Sequence, residues 1–392
     1  TIICLMLFLT ICVFSASLSL KNSLTQNLEE LTPVDISISK RRNFDEKALE
    51  DGWSLEQIED SKKTIPESFL EMDFDYQNYF EDIFEFNVYT FSDMTIANTL
   101  GSVYDEIVEL YPFLGYDTAE EFVSLSDYNK LARMYGLDEL SLRDNEYAIV
   151  ADYDQWITIR NDGLKANTPL VLNGKSYYPN REECIYGFMD IASNHINIGF
   201  FVVPDEALNA ADLYRSLMVA NYKGITDVEK EHIEKVVHDL EDNSYALNST
   251  LSVSTKLTIY AASVGLGAMV TFIGLYLGLI FLISSAAILA LKELSESTDN
   301  KERFQMLRNL GADEKMINKA LFYQILIFFL CPLLLACIHS VFGILFCNYI
   351  LESMGTTQLL TSIFTTAGFL IFIYGGYFLI TYYCSKNIIK ER

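Results

Sequence analysis

The stretch LTIYAASVGLGAMVTFIGLYLGLIFLISSAAILAL, residues 257–291, lies between Lys256 and Lys292 without one charged side chain. About 20 apolar helical residues cross a hydrocarbon core some 30 Å thick. These 35 residues would reach roughly 52 Å as a helix, so the surplus predicts tilt or a stalk projecting from the membrane. Three more stretches qualify: 1–20, ending at Lys21; 320–351, uncharged apart from a possible proton on His339; and 353–385, ending at Lys386. Backbone groups in lipid must pair within their own segment, so each is expected to be a helix. The expectation is an α-helical membrane domain of four transmembrane helices, with residues 21–256 folded separately. Residues 1–20 admit a second reading, a signal peptide with Ser15-Ala16-Ser17 as small cleavage residues. Their length and the lack of a basic leading region favour a membrane helix.

Charge divides the chain in the same place. Residues 21–256 hold 45 Asp/Glu against 19 Lys/Arg, whereas residues 257–392 hold 8 against 9. The net charge of −25 therefore belongs to one soluble domain. So acidic a surface excludes nucleic acid, whose phosphates need clustered Lys/Arg. It is either a solvating face or a field that steers a cationic ligand such as a basic peptide. Of seven cysteines only Cys184 lies in this region, so it closes no internal disulfide.

Lys292, Lys301, Arg303, Arg308, Lys315 and Lys319 crowd the segment 292–319, and Lys386, Lys390 and Arg392 the tail 386–392. Basic residues near membrane helices stay in the cytoplasm. The expected order is an inside N-terminus, a helix, a large extracytoplasmic domain, three helices and an inside C-terminus, in a multi-pass protein of a bacterial plasma membrane surrounded by lipid. Gly274 and Gly278 form a GxxxG spacing that lets another helix approach closely. Pro332 predicts a kink. His339 is an intramembrane ionisable group, read as a hydrogen bond to a neighbouring helix because no partner carboxylate is visible.

The acidic domain reads as mixed α/β. Strands are expected at Val34–Ser39, Ile83–Phe91, Tyr147–Ala151, Trp156–Arg160 and His195–Val203. Helices are expected at 54–62, 126–135, 206–221 and 227–241, with capping boxes at Ser54/Gln57 and Thr226/Glu229 and a stop at Gly136. Asn173-Gly174 predicts a tight hairpin. Gly174-Lys175-Ser176 resembles the end of a phosphate loop, but Pro169 stands where its first glycine belongs. Asn248-Ser249-Thr250 is a glycosylation sequon that matters only in a eukaryotic secretory cell. His195, His232 and His238 lack metal-ligand spacing. No nucleophile has a visible partner, so no catalysis, metal or cofactor is expected in this chain.

Between the second and third segments, Phe304, Leu307 and Leu310 repeat along one face of a short amphipathic helix. Asp299 is expected to cap it, with Glu302 three residues on. Gly311 is its stop, and Ala312 leads into the next helix. Such a helix either rests on the membrane surface or docks a cytoplasmic partner.

Here the sequence resembles the FtsX-like permease family of ABC transporters, which includes MacB-type and bacitracin-export-type permeases. The resemblance rests on the order of helices and domain, on FIGLYLGLIFLISSAAILALKELSE at Phe272–Glu296, and on KERFQMLRNLGADEKMINKAL at Lys301–Leu321. SLSDYNKLARMYG at Ser124–Gly136 is similar to a segment of the Gram-positive members. The resemblance implies a permease whose ATP is bound by a separate cytoplasmic ATPase subunit. It also implies mechanotransmission, in which closure of that subunit reshapes the outer domain through the helices. Carried over, the ATPase-coupling segment is Asp299 through Ala312. Phe304, Leu307 and Leu310 pack into the partner, with Glu302, Arg303 and Arg308 beside them and Gly311 closing the turn.

The implied activity is export or extraction of a peptide, antibiotic or lipid-linked molecule. The alternatives are an FtsX-like regulator of cell-wall hydrolases and an antimicrobial-peptide sensor signalling to a membrane kinase. Many Gram-positive members carry a further membrane half, and Thr1 as first residue suggests the C-terminal half of a longer permease. Otherwise a second copy completes a homodimer.

Overall fold

The computed structural model describes residues 2–42, 46–49, 52–209, 211–224, 226–352 and 359–390. In chain order the first elements are α1 (Ile2–Leu31), β1 (Ile36–Arg41), α2 (Leu55–Ser61), α3 (Ile65–Glu71), β2 (Phe80–Thr90), α4 (Ile96–Leu100) and α5 (Tyr104–Leu110). Then come β3 (Phe122–Ser124), α6 (Leu125–Tyr135), β4 (Glu146–Ala151), α7 (Asp154–Lys165), β5 (Leu170–Leu172), β6 (Lys175–Pro179) and β7 (Ile185–Tyr186). The last are β8 (Phe200–Val203), β9 (Asp212–Tyr222), α8 (Asp227–Ala246), β10 (Leu251–Thr255), α9 (Lys256–Asp299), α10 (Lys301–Asn309), α11 (Glu314–Glu352) and α12 (Leu359–Lys390). The chain forms two compact units, residues 26–263 and residues 1–25 with 264–392.

The α/β unit is built on a sheet of strand order β10-β1-β9-β2-β3-β8-β4-β6-β5, with β7 beside β4. β1 is paired antiparallel on both sides, with β10 (Ile36↔Thr255 to Lys40↔Leu251) and with β9 (Ile36↔Ala220 to Arg41↔Arg215). One core gathers Leu31, Val34, Val88, Tyr128, Val150, Phe188, Met189 and Val219. Another packs α3 and α8 onto β1, β9 and β2 through Ile38, Phe69, Phe80, Met218, Ile233 and Val237.

Several local expectations are met in detail. Both capping boxes form, with Ser54 accepting from Gln57 N and Thr226 from Glu229 N. Asn173 (φ 53°) and Gly174 (φ 76°) make the turn between β5 and β6. Both residues have positive φ, the requirement of the commonest two-residue hairpin turn. Gly136 takes the left-handed conformation at the end of α6.

Two segments differ in kind. Trp156–Arg160, expected as a strand, lies inside helix α7, where Trp156, Ile159, Arg160, Gly163 and Leu164 are buried at helical spacing. Its β-branched Ile157 and Thr158 imitate a strand. Residues 206–221, expected as a helix, hold a 3₁₀ turn (Asp205–Leu208) and the long strand β9. Because β9 lies between β1 and β2, Ser216–Ala220 are buried without interruption, which erases the alternation that marks a half-exposed strand. The strand expected at His195–Val203 is confined to Phe200–Val203. Asn197 diverts the preceding residues by donating its side-chain amide to the Val150 and Gly187 carbonyls.

The apolar helices outrun the expected segments. α1 continues to Leu31, α9 to Asp299 and α12 to Lys390, and α11 begins at Glu314. Pro332 lies inside α11. Residues 353–358, the beginning of the expected segment 353–385, fall outside the described residues.

Lys40 on β1 is fully buried, and its Nζ donates to Asp60 Oδ2 at 2.6 Å. The same oxygen accepts from Ser249 Oγ and Thr250 N. Burial pushes the Asp60 carboxyl up, but the Lys40, Thr250 and Ser249 hydrogen bonds outweigh it and hold its pKa below the ordinary value. Asp60→Asn strands a buried ammonium, an expected loss of about 3 kcal/mol readable as a lower melting temperature of the α/β unit. In the wild type this contribution is complete above the unfolded carboxyl's pKa of about 4 and disappears as pH falls through the lower folded value. A melting temperature unchanged in Asp60→Asn contradicts this account.

Candidate functional site

Within the membrane unit α1 is the central helix: 44% of its apolar stretch is buried, against 22%, 22% and 17% for α9, α11 and α12. Small residues on the surrounding helices make this possible. A Cβ at Gly274 would come within 1.8 Å of Ser17 Oγ, and one at Gly278 within 2.2 Å of the Phe14 ring. Thr10 Oγ1 donates to the Gly278 carbonyl at 3.3 Å. The two glycines of the GxxxG spacing are therefore the notch in α9 that receives α1. A Cβ at Gly343 of α11 would lie 2.6 Å from Cys12 Sγ. α12 meets α1 through Ser15 Oγ with Thr366 Oγ1 and through the edge-on rings of Phe14 and Phe369.

The expected coupling residues occupy one short connection. Asp299 is the last residue of α9, not the cap of the next helix. Asn300 stands at the start of α10 with helical backbone (φ −85°, ψ −1°) and no side-chain cap bond. The chain therefore bends from α9 into α10 almost without leaving helical conformation, and Asn300 O accepts from Phe304 N. Glu302, Arg303, Phe304, Leu307 and Arg308 all lie on α10. Gly311 (φ 94°) ends the segment as its spacing predicts. Its N–H donates to the Arg308 carbonyl and the Ala312 N–H to the Leu307 carbonyl, the paired bonds of a Schellman stop.

The apolar residues of this connection have different surroundings. Phe304 is 9% exposed and belongs to the membrane unit's own core, with Leu289, Ile317, Leu321 and Ile389. Leu307 is 45% exposed and Leu310 is 84% exposed. Glu302, Arg303, Met306 and Gly311 are exposed as well, and Ala312 is partly buried against that core.

Sequence reasoning passed over Glu293 and the internal contacts of Arg308. Arg308 Nε donates to Glu314 Oε1 (2.6 Å) and its Nη1 to the Ile389 carbonyl (2.9 Å), joining α10 to the start of α11 and the end of α12. The apolar pair Ile388-Ile389 in an otherwise charged tail was the available signal. Glu293, fully buried in α9, accepts from Gln324 Nε2 at 3.2 Å, while its second oxygen has no partner. His339 Nδ1 lies 2.7 Å from the Leu335 carbonyl, one turn back in its own helix. The interaction is local, not with the neighbouring helix expected.

At the other end of α9 lies a second junction, inside the α/β unit. β10 passes into α9 at Thr255–Lys256, and four residues separate the end of α1 from the start of β1. Lys256 N donates to the Asp35 carbonyl (2.9 Å) and Lys256 Nζ to the Thr32 carbonyl (2.8 Å). Lys230 Nζ and Tyr222 N both donate to the Asp35 carboxylate. Thr255 Oγ1 donates to Glu234 of α8, which also accepts from the Tyr222 hydroxyl. The two helix ends are thus fastened to each other and to α8.

A scan against protein-family models matches none. Three curated proteins of Bacillus subtilis (strain 168) are similar to the chain. The bacitracin export permease protein BceB is 30% identical over 176 residues, 45% of this chain and 26% of that protein. The ABC transporter permease protein YxdM is 25% identical over 91 residues, 23% of this chain and 15% of that protein. The uncharacterized ABC transporter permease YvcS is 22% identical over 277 residues, 69% of this chain and 41% of that protein. The chain is similar to ABC-transporter permeases. It spans less than half the length of each of these relatives. With its four long apolar helices the chain is a membrane protein.

Gly274→Leu places a branched side chain where Ser17 stands, whereas nothing lies within 4 Å of a Cβ at Gly265 on the same helix. In thermal scans of the detergent-solubilised protein, Gly274→Leu is expected to lower the melting temperature by several degrees and Gly265→Leu to leave it in place. Equal melting of the two variants excludes the notch.

Proposed function

We propose that this chain is the part of an ABC permease that converts ATP hydrolysis by a separate cytoplasmic ATPase subunit into rearrangement of the α/β unit outside the membrane. The observation that carries the reading is the connection of neighbouring strands to long helices. β1 and β10 are adjacent antiparallel strands; β10 runs directly into α9 and β1 follows α1 after a short turn. A displacement carried by these helices therefore reaches the sheet through two of its neighbouring strands. The ATPase docks on α10, with Leu307 and Leu310 as the contact surface, Arg303 and Glu302 beside them, and Phe304 as the internal anchor that holds the helix in place. A second membrane half, in the same polypeptide or in another copy, gives the ATPase dimer its second docking helix. The name of the bacitracin-export relative makes a peptide antibiotic the first substrate class to test.

Leu307→Glu is expected to lower ligand-stimulated ATPase activity of the co-purified complex on the order of tenfold, because a charge would have to be desolvated at the contact. Its melting temperature should match the wild type, since Leu307 is half exposed. Phe304→Ala should instead cost about 3 kcal/mol of stability. Stimulation in Leu307→Glu equal to wild type sinks the docking assignment. Membrane-impermeant labelling of Asp73→Cys and Lys301→Cys in whole cells tests sidedness. The reading requires labelling of the first alone.

A further inference from the structure

The segment GFMDIASNHIN, residues 187–197, crosses from β7 toward β8 without helix or strand, yet it is pinned along its length. Where it leaves β7, a Cβ at Gly187 would lie 2.7 Å from Val150 Cγ1, so the chain is pressed onto β4. The Tyr135 hydroxyl donates to the Met189 carbonyl (2.7 Å). The Ala192 N–H donates to the carbonyl of Leu31, the last residue of α1. Phe188, Met189 and Ile191 share a core with Leu31. Asn197 Nδ2 closes the segment by donating to the Gly187 carbonyl (2.8 Å) and the Val150 carbonyl (3.0 Å). The segment is thus a strap that holds the end of α1.

One pin in the strap is chemically incomplete. His195 is buried, and neither of its ring nitrogens makes a hydrogen bond, which is rare for a buried polar group. Its Nδ1 lies 3.5 Å from Oδ2 of Asp152, a carboxylate equally buried, whose Oδ1 accepts from Asn197 N (2.7 Å). The titratable groups facing the ring are Asp152 after β4, Glu30 of α1, Asp154 of α7 and Tyr186 of β7, and each is an acid. Burial lowers the imidazole's pKa, but Asp152, helped by Glu30 and Asp154, outweighs it and holds the value above the ordinary 6.5. Burial pushes the Asp152 carboxyl up in turn, against His195 and the Asn197 N–H. The folded imidazole pKa is the raised one. With Asp152 ionised, the fastening it supplies is therefore complete below the unfolded value of about 6.5 and is lost as pH rises through the folded value. A neutral ring leaves Asp152 a buried carboxylate held by one backbone N–H, and such a charge is costly until water reaches it. Water reaches it when the strap lifts.

We propose that His195 and Asp152 form a pH-sensitive latch: with the imidazole protonated the strap is fastened to the end of β4 and grips α1, and with the imidazole neutral the strap loosens. The latch lies wholly within the α/β unit and goes beyond the coupling reading, because it sets how firmly the end of α1 is gripped, whatever moves that helix.

The test is hydrogen exchange with mass spectrometry on the full chain in nanodiscs, at steps from about pH 6 to about pH 8.5, with rates corrected for the intrinsic pH dependence of amide exchange. Protection of peptides covering 187–197 is expected to fall several-fold across this range, with a midpoint above about 6.5, while peptides of α8 keep theirs. His195→Gln should show the lower protection throughout, without the pH dependence, and Asp152→Asn should lose the dependence as well. His238→Gln, on the exposed face of α8 beside Glu241, should retain it. Strap protection that is level across the range in the wild type, a midpoint in the carboxylate range, or a dependence that survives in His195→Gln overturns the latch. Should a variant fail to fold, the wild-type midpoint still decides, because the surrounding carboxylates titrate well below it. No ATPase takes part, so failure here leaves the docking of α10 as it stands.

Discussion

The ladder between β1 and β10 is short, from Ile36↔Thr255 to Lys40↔Leu251, yet most of what is distinctive about the chain passes through it. At one end lie the turn from α1 and the start of α9; at the other lies the buried Lys40–Asp60 pair, tied to Ser249 and Thr250. Strand pairing resists sliding, because a one-residue slip turns every side chain to the wrong face. Here a slip would also expel Ile36 and Ile38 from the core beneath α3 and α8. The strands therefore hold the two helix ends at a fixed stagger, and Lys256 reinforces it by donating to the Thr32 and Asp35 carbonyls.

In the membrane unit the organising constraint is close approach. Lipid supplies no hydrophobic force between helices, so van der Waals packing and small residues must do so. α1 carries Thr10, Ser15 and Ser17 toward partners that are glycine, threonine or backbone carbonyl. The outer helices leave large apolar residues such as Phe272, Phe342, Phe364 and Phe372 exposed, as expected where lipid or another membrane segment covers them.

How much of this could be read beforehand depended on the scale of the signal. Uncharged runs of more than 30 residues are unambiguous, and so were the last three apolar helices, whereas the shorter run at residues 1–20 also admitted a signal peptide. Their ends were not, because Lys292, Glu293 and Glu296 look like a boundary while α9 continues through them to Asp299. Turn and cap chemistry was legible wherever one residue decides it, as at Asn173-Gly174, Thr226 and Gly311. Burial on both faces hid β9, and the β-branched pair in α7 imitated a strand. The short helix between α9 and α11 was legible in the sequence, but nothing in the spacing of Phe304, Leu307 and Leu310 indicated that the first would be buried in its own chain. That depends on Ile317, Leu321 and Ile389, which lie up to 85 residues away by position.

Arg308 brings α10 together with two helices at once, through Glu314 at the head of α11 and the Ile389 carbonyl near the close of α12. A guanidinium is planar and its donors are fixed in a fork. The group therefore behaves less like a flexible tether than like a bracket with two bolts. A displacement of α10 therefore cannot be absorbed by bending α9 alone; it is shared among three helices. A lysine at this position would keep the charge and lose the rigidity.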